Sequence, residues 1–425
     1  MDCFLPGNSG RIARCTASMP LEKTVLPVPG PGKVLADFGG VYAGNAIVAF
    51  LFAASGPVAI ILAVGARGGL SESDLASWIF GSFFLNGLLS IAVSLAYRQP
   101  LVFFWTIPGA VLVGPALSHL SFAEVIGAYH ATGLLMLLLG LSGWVRRAME
   151  AVPMPIVMAM VAGVFLRFGV DLVLAFRDAL WIAAPMTVVF FALSAAPRLA
   201  RTLPPLIGAL VVGALAVWWL GVFKPPAGAL FAFAAPNLYV PQFSWAAMVE
   251  LVVPLAITVL VVQNGQGIAV LAANGHKAPI NAVTVACGAM SMVTALVGAV
   301  STCLTGPVNA LISSSGEKQR HYTAAVLVGL FALAFGLLAP LFTRLLLATP
   351  PAFIAALAGL AMLRVLQTAF TVSFRDRFSF SALVCFLVTV ADVPIFRIGA
   401  PFWGLVLGLA VAWLLERDDL KRAKS

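Results

Sequence analysis

Charge is what this sequence has least of. Asp, Glu, Lys and Arg together make 10% of its 425 residues, while 61% are apolar. A soluble domain needs about a quarter charged residues to cover its surface, so that class is excluded. Histidine is rarer still. His119, His130, His276 and His321 are never paired at the spacing of metal ligands, and no nucleophile stands beside a base, which argues against an intramembrane enzyme. The cysteines, Cys3, Cys15, Cys287, Cys303 and Cys385, are scattered, and three fall in apolar runs. They read as small packing residues, with no disulfide framework, metal site or cofactor implied. The net charge of +9 comes without a Lys/Arg stripe, so no nucleic-acid partner is expected. Residues 1–33 lack an apolar run and carry Pro6, Pro20, Pro27, Pro29 and Pro31. They read as a disordered cytoplasmic tail rather than a cleaved signal, and GPGKV at Gly30 is too short for a phosphate loop.

What the chain does have is apolar runs of about twenty residues, each long enough to cross about 30 Å of hydrocarbon as helix. They are placed at 40–64, 75–96, 100–118, 121–145, 153–173, 179–197, 203–222, 247–272, 278–297, 299–315, 321–346, 351–371, 378–393 and 397–415. The expectation is therefore an all-α integral membrane protein of fourteen spans. Lys and Arg in short loops stay on the cytoplasmic side. With the N-terminus inside, Arg98, Arg146, Arg147, Arg198, Arg201, Lys277, Lys318, Arg320, Arg375 and Arg377 fall inside, and Arg67, Arg177, Lys224, Arg344 and Arg397 outside. Both termini are then cytoplasmic, in a bacterial-type inner membrane.

The chain also repeats. Gly133, Gly140, Pro155, Ala162 and Gly163 recur as Gly329, Gly336, Pro351, Ala358 and Gly359 at one offset of 196. Thr106 and Pro108 recur as Thr305 and Pro307 at an offset of 199, and SGPVAIILAVG from Ser55 is echoed by NGQGIAVLAANG from Asn264. Two halves of seven spans follow, and because seven is odd the second half must be inverted.

Spans 3 and 10 are broken at membrane depth, by FFWTIPGAVLVGP (Phe103 to Pro115) and GAVSTCLTGPVNALISSSG (Gly298 to Gly316). Such a break is tolerated only where it is buried in protein or lines a polar cavity. A half-helix starting there points free N–H groups and a positive dipole end inward, suited to a carboxylate or another anion. Thr106, Ser301, Thr302, Thr305 and Asn309 could add side-chain donors. In span 8, Gln263, Asn264 and Gln266 stand as three carboxamides in an apolar helix, read either as interhelical glue or as cavity lining. Gly265 and Gly267 favour lining, since they let a ligand or backbone come close. Phe50, Phe52, Phe103, Phe104 and Trp105 offer an apolar wall, although a phenylalanine in a membrane helix is usually lipid-facing.

Arg167 and Arg364 lie deep in spans 5 and 12 and need partners: an interface, each other, or Asp171. A structural role is favoured over a salt bridge to substrate. No carboxylate sits in the central spans. His130 is the side chain there that titrates near neutral pH, and it is the proton-coupling candidate beside protonation of a substrate's own carboxyl group.

These residues resemble the benzoate:proton symporters of the BenE family. The resemblance rests on RQPLVFFWTIPGA (98–110), FAEVIGAYHATGLLMLLLGLSG (122–143), AGVFLRFG (162–169), VQNGQGIAVLAANGHKAP (262–279) and IGAPFWGLVLG (398–408). The family is similar in fold to the uracil/xanthine and sulfate permeases. That implies a core domain of 34–150 and 247–346, a gate domain of 151–222 and 347–415, a linker at 223–246 and a cytoplasmic tail at 416–425. It implies a substrate site built from Trp105, Thr106, Gly109, Ala110, Gln263, Asn264, Gln266, Leu304, Thr305, Gly306 and Asn309. The span-10 sequence STCLTGPVNAL departs from the usual family pattern, and the acidic pair of the nucleobase permeases is missing. The function implied is import of a small aromatic carboxylate, benzoate-like, with protons by alternating access. A nucleobase or inorganic-anion permease of the same fold is the alternative, followed by an anion channel. Expected partners are the carboxylate, protons and membrane lipid, with a homodimer as an option.

Overall fold

The computed structural model describes residues 21–24, 27–150, 152–196, 199–200, 203–225, 231–396 and 398–424. Apolar segments without water to bond must satisfy their backbone internally, and nearly everything described is helix. Helix α1 (Pro31–Asp37) precedes α2 (Gly40–Ala54) and α3 (Gly56–Arg67), which form one apolar rod broken at Ser55. Pro57 at the start of α3 cannot supply the N–H that would continue α2 through the break. Next come α4 (Glu72–Phe80), a π-helical turn (Gly81–Leu85) and α5 (Asn86–Tyr97). The first half continues with β1 (Phe103–Trp105), α6 (Ile107–Ala116), α7 (Phe122–Ser142), α8 (Val145–Glu150), α9 (Met154–Asp178), α10 (Leu180–Ala195) and α11 (Pro205–Trp219).

The second half opens with α12 (Trp245–Ile257), a π-helical turn (Thr258–Asn264), α13 (Gly265–Ala273) and α14 (Ile280–Ala295). Then follow β2 (Thr302–Leu304), α15 (Gly306–Ile312), α16 (His321–Leu337), α17 (Ala339–Leu347), α18 (Pro351–Phe374), α19 (Ser379–Ala391), α20 (Ala400–Leu415) and α21 (Arg417–Lys424). Among the described residues, 7 helical stretches are long and apolar enough to cross a membrane, and six shorter apolar helices accompany them. The Ser55 and Asn264 positions that echo each other in sequence are both irregular: one is a helix break, the other ends a π-helical turn.

Packing runs in matched pairs. Helix α7 packs on α14 and α5 on α16; α7 packs on α12 and α2 on α16. Likewise α9 packs on α19 and α10 on α18, while α9 and α18 lie against each other. Each contact has its counterpart seven apolar segments later. The repeated glycines make the tightest of them. A Cβ on Gly133 would lie 2.9 Å from the Gly288 carbonyl oxygen, and one on Gly329 would lie 2.9 Å from that of Gly87. Gly140 meets the Val285 backbone nitrogen as Gly336 meets that of Phe84. The repeat visible in sequence is thus a repeat of places where two helices touch backbone to backbone.

Residues 1–20 of the expected tail lie outside the described residues. Glu22, however, accepts the backbone N–H groups of Asn281 and Ala282 at 3.0 Å, capping α14, so this part of the tail is packed. The linker is anchored too, since Tyr239 N–H bonds Leu296 and its hydroxyl bonds Asp74.

Candidate functional site

Where the two breaks were expected, the chain is extended. β1 and β2 pair antiparallel, Phe103 opposite Leu304, Phe104 opposite Cys303 and Trp105 opposite Thr302. The ladder is continued by Thr106 N–H to Ser301 (3.0 Å) and Thr305 N–H to Val102 (3.1 Å). A two-stranded sheet has two open edges, and an unpaired N–H buried here would cost several kcal/mol. Side chains close them. The Ser90 hydroxyl takes the Phe103 N–H at 2.8 Å, and the Ser291 hydroxyl takes the Thr302 N–H at 2.9 Å. Asn264 Oδ1 accepts from Leu304 N–H at 2.7 Å, Asn309 Oδ1 from Val102 N–H at 3.0 Å, and Thr302 donates to Asn86 at 2.8 Å. Sequence reading missed Ser90, Ser291 and Asn86. Their signal was polar residues inside apolar spans, with Ser82, Asn86, Ser90 and Ser94 at every fourth position of one helix face.

Beyond each strand a helix begins. Thr106 caps α6 by accepting the Gly109 N–H at 3.2 Å, and its hydroxyl reaches Thr258 in the π-helical turn. Both N-termini open on a cavity of about 1540 Å³, lined there by Ile107, Pro108, Thr305, Pro307 and Val308. Gln263, Gly265 and Gln266 line it from the π-helical turn and α13, and neither glutamine hydrogen-bonds a described residue. Phe52, Phe104, Trp105, Phe165 and Phe190 form its aromatic wall. Trp105 is 2% exposed and its indole N–H has no partner among the described residues. Toward Asn45, Ser194, Ser314 and Ser315 the cavity widens to the surface.

The expected site residues therefore divide. Trp105, Gln263, Gln266 and Thr305 share the cavity. Asn264 and Asn309, at 1% and 0% exposure, face strand edges instead and hold β2 and β1 in place. Thr106, Gly109, Ala110 and Leu304 are buried behind the wall. Gly306 sits beneath Gln266, whose Cγ would be 2.6 Å from an added Cβ, and Gly267 admits the Leu304 backbone rather than a ligand. Of the aromatics, Phe50 packs on Phe83, Phe331 and Phe335, away from the cavity.

The two deep arginines part company. Arg167 pairs with Asp171 at 3.5 Å, and Arg67 binds the same carboxylate. Arg364 lines the cavity, hydrogen-bonds Gln367 at 3.1 Å, and is the one charged side chain among the described lining residues. His130 is half-buried on α7 and donates Nδ1–H to the Ile126 carbonyl at 3.0 Å, outside the cavity lining. Two histidines far apart in the chain meet in the fold: His276 Nε2 and His321 Nδ1 lie 3.0 Å apart, both buried. Burial, then His321 and Lys318, pull His276 down to about 4, so it is neutral at physiological pH. No group of three metal-binding side chains occurs among the described residues.

Comparison with known proteins places this arrangement. The family profile described as BenE, benzoate membrane transport protein, matches residues 36–414. The chain is 30% identical over 391 residues to an inner membrane protein of Escherichia coli, YdcO, covering 89% of this chain and 94% of that one. It is 26% identical over 376 residues to the benzoate membrane transport protein of Acinetobacter baylyi, covering 87% and 93%. In structure it is similar to the transmembrane domain of the cyanobacterial bicarbonate transporter BicA (TM-score 0.57, 14% identity, covering 87% and 97%). It is also similar to SLC26A9 (TM-score 0.61, 14% identity, covering 87% and 64%).

Proposed function

The chain belongs to the BenE family of benzoate membrane transport proteins, a family of membrane transporters rather than enzymes, and on that premise we propose that it carries a small aromatic carboxylate, benzoate-like, together with protons. The observation that carries this reading is the cavity, which combines an aromatic wall with a single described charge, the cation Arg364. A carboxylate satisfies that cation, while its ring replaces water against Phe52, Phe104 and Phe165. Gln263 and Gln266 each offer a donor and an acceptor, so they hold the carboxyl group in either protonation state. A nucleobase would bring no opposite charge to the exposed Arg364 guanidinium.

In this proposal the segments α2–α7 and α12–α16 form a core that carries the cavity floor. The segments α9–α11 and α18–α20 form a gate, and the two halves are an inverted repeat whose matched packing supports that division. Alternating access is the motion of core against gate, and this conformation is open toward Ser314 and Ser315, the cytoplasmic end by the placement of basic loops.

Counterflow of labelled benzoate in proteoliposomes tests the reading. Unlabelled aromatic acids compete and nucleobases do not. Arg364→Gln raises the apparent KM for benzoate at least tenfold, about 1.4 kcal/mol, with the melting temperature unchanged. Competition by uracil or bicarbonate without competition by benzoate overturns it.

A further inference from the structure

At the end of the molecule opposite the cavity mouth, α6 and α12 are joined by a titratable pair. His119 follows α6, and its Nε2 lies 2.8 Å from Oε2 of Glu250 near the start of α12. The Glu250 side chain is 4% exposed and that of His119 20%, so the pair is sheltered on the carboxylate side and wetted on the imidazole side. The backbone of Gly399, which caps α20, lies against the carboxylate: an added Cβ would stand 2.9 Å from Glu250 Cδ. Other described charges at this end include Asp392 beyond α19, Arg67 at the end of α3, and Arg167 and Asp171 on α9. Both arginines are taken by Asp171, and Asp392 acts on His119 and Arg167. His119 is left as the described hydrogen-bond partner of Glu250.

A carboxylate this buried is costly as a lone anion. The pair is neutral with one proton between the two groups, becomes an anion when that proton leaves, and a cation when a second arrives. At its other end α6 reaches the cavity with Ile107 and Pro108, and α12 runs on into the π-helical turn, whose Val261, Val262 and Gln263 line it. Glu250 and Gln263 are thirteen residues apart, about 20 Å of helix, so the pair cannot touch the substrate. It can act on the joint instead, because Gly399 and α20 pack on α12 from the gate side.

We propose that His119–Glu250 is the proton-binding site that couples proton entry to transport, in place of His130. This rests on the proton-coupled reading of the preceding section. A proton arriving from the outer end neutralises the buried carboxylate. The core, which holds both α6 and α12, then shifts against α20 of the gate, and the proton is released to the cytoplasmic side, restoring the charge. One proton thus crosses per cycle, and the joint is held differently in the two states. The proton stays on the pair while the substrate moves separately through the cavity.

The test uses the full-length protein in proteoliposomes. In Glu250→Gln and His119→Gln, benzoate accumulation driven by a pH gradient falls at least tenfold, whereas counterflow without a gradient falls no more than twofold. His130→Gln accumulates as the wild type does. The proposal is overturned if either stable variant retains full accumulation, or if accumulation and counterflow fall in equal proportion, the mark of a structural role. Should Glu250→Gln fail to fold, the wetted position carries the test through His119→Asn. A substrate-free readout separates failure here from failure of the substrate reading: the pH-difference infrared spectrum contains a carboxyl band that Glu250→Gln removes. Absence of that band from the wild type overturns the proton site, while absence of wild-type benzoate counterflow overturns only the substrate.

Discussion

Asn264 and Gln266 are two residues apart and chemically alike, yet the fold gives them opposite duties. Asn264 turns to β2 and accepts the Leu304 N–H, while Gln266 lies over Gly306 with its amide toward the cavity. Removing the Asn264 amide leaves a buried backbone donor unpaired, which costs about 1–3 kcal/mol. Asn264→Ala is therefore expected to lower the melting temperature in detergent and the maximal transport rate together. Gln266→Ala, which unpairs nothing in the empty protein, is expected to raise the apparent KM while leaving the melting temperature in place. Melting curves and counterflow kinetics on the two variants check this, and the opposite assignment would make Asn264 the ligand. Amide content alone could not have separated them. Which face of a helix meets a strand depends on the π-helical turn at Thr258–Asn264, which resets the helical phase.

Among the elements, the glycine contacts set how closely helices pack. Gly288 admits the Gly133 carbonyl where α7 crosses α14, and Gly329 admits that of Gly87 where α16 crosses α5. Small residues let membrane helices approach, and packing is what holds them in lipid. Gly288→Val and Gly329→Val should each force a pair of helices apart, at a cost of about 1–3 kcal/mol for an overfilled contact. Gly40→Ala, with nothing within 4 Å of the added carbon, should be neutral. Thermal unfolding in detergent compares the three, and equal stability throughout would remove the packing role. These contacts were legible in sequence because their glycines recur at a constant offset, and so were the strand breaks, marked by the paired Thr-x-Pro. The outer cluster was not legible. His119, Glu250, Asp171 and Asp392 are far apart in the chain, each looks interfacial beside its own span, and only folding brings them to one end.

For the whole molecule the two ends differ, and under the proposed alternating access that difference has to invert. One end is open, with Ser314 and Ser315 at the cavity mouth; the other is shut by His119–Glu250 and by Arg67 and Arg167 on Asp171. A single cysteine reads which end is open. Cys287, Cys303 and Cys385 are buried and give little background, and Cys3 and Cys15 are replaced by Ser. Ser314→Cys, in an exposed loop, should then react with a membrane-impermeant maleimide in inside-out vesicles and not in right-side-out ones, given the proposed cytoplasmic placement of this mouth. Lowering the external pH without substrate should slow this labelling if protonation of the outer pair favours opening there, since closure of the cytoplasmic mouth must accompany it. In Glu250→Gln the labelling rate should no longer respond to external pH. Labelling of Ser314→Cys from the outer face alone would reverse the orientation read from the basic loops, and with it the direction from which the proton enters.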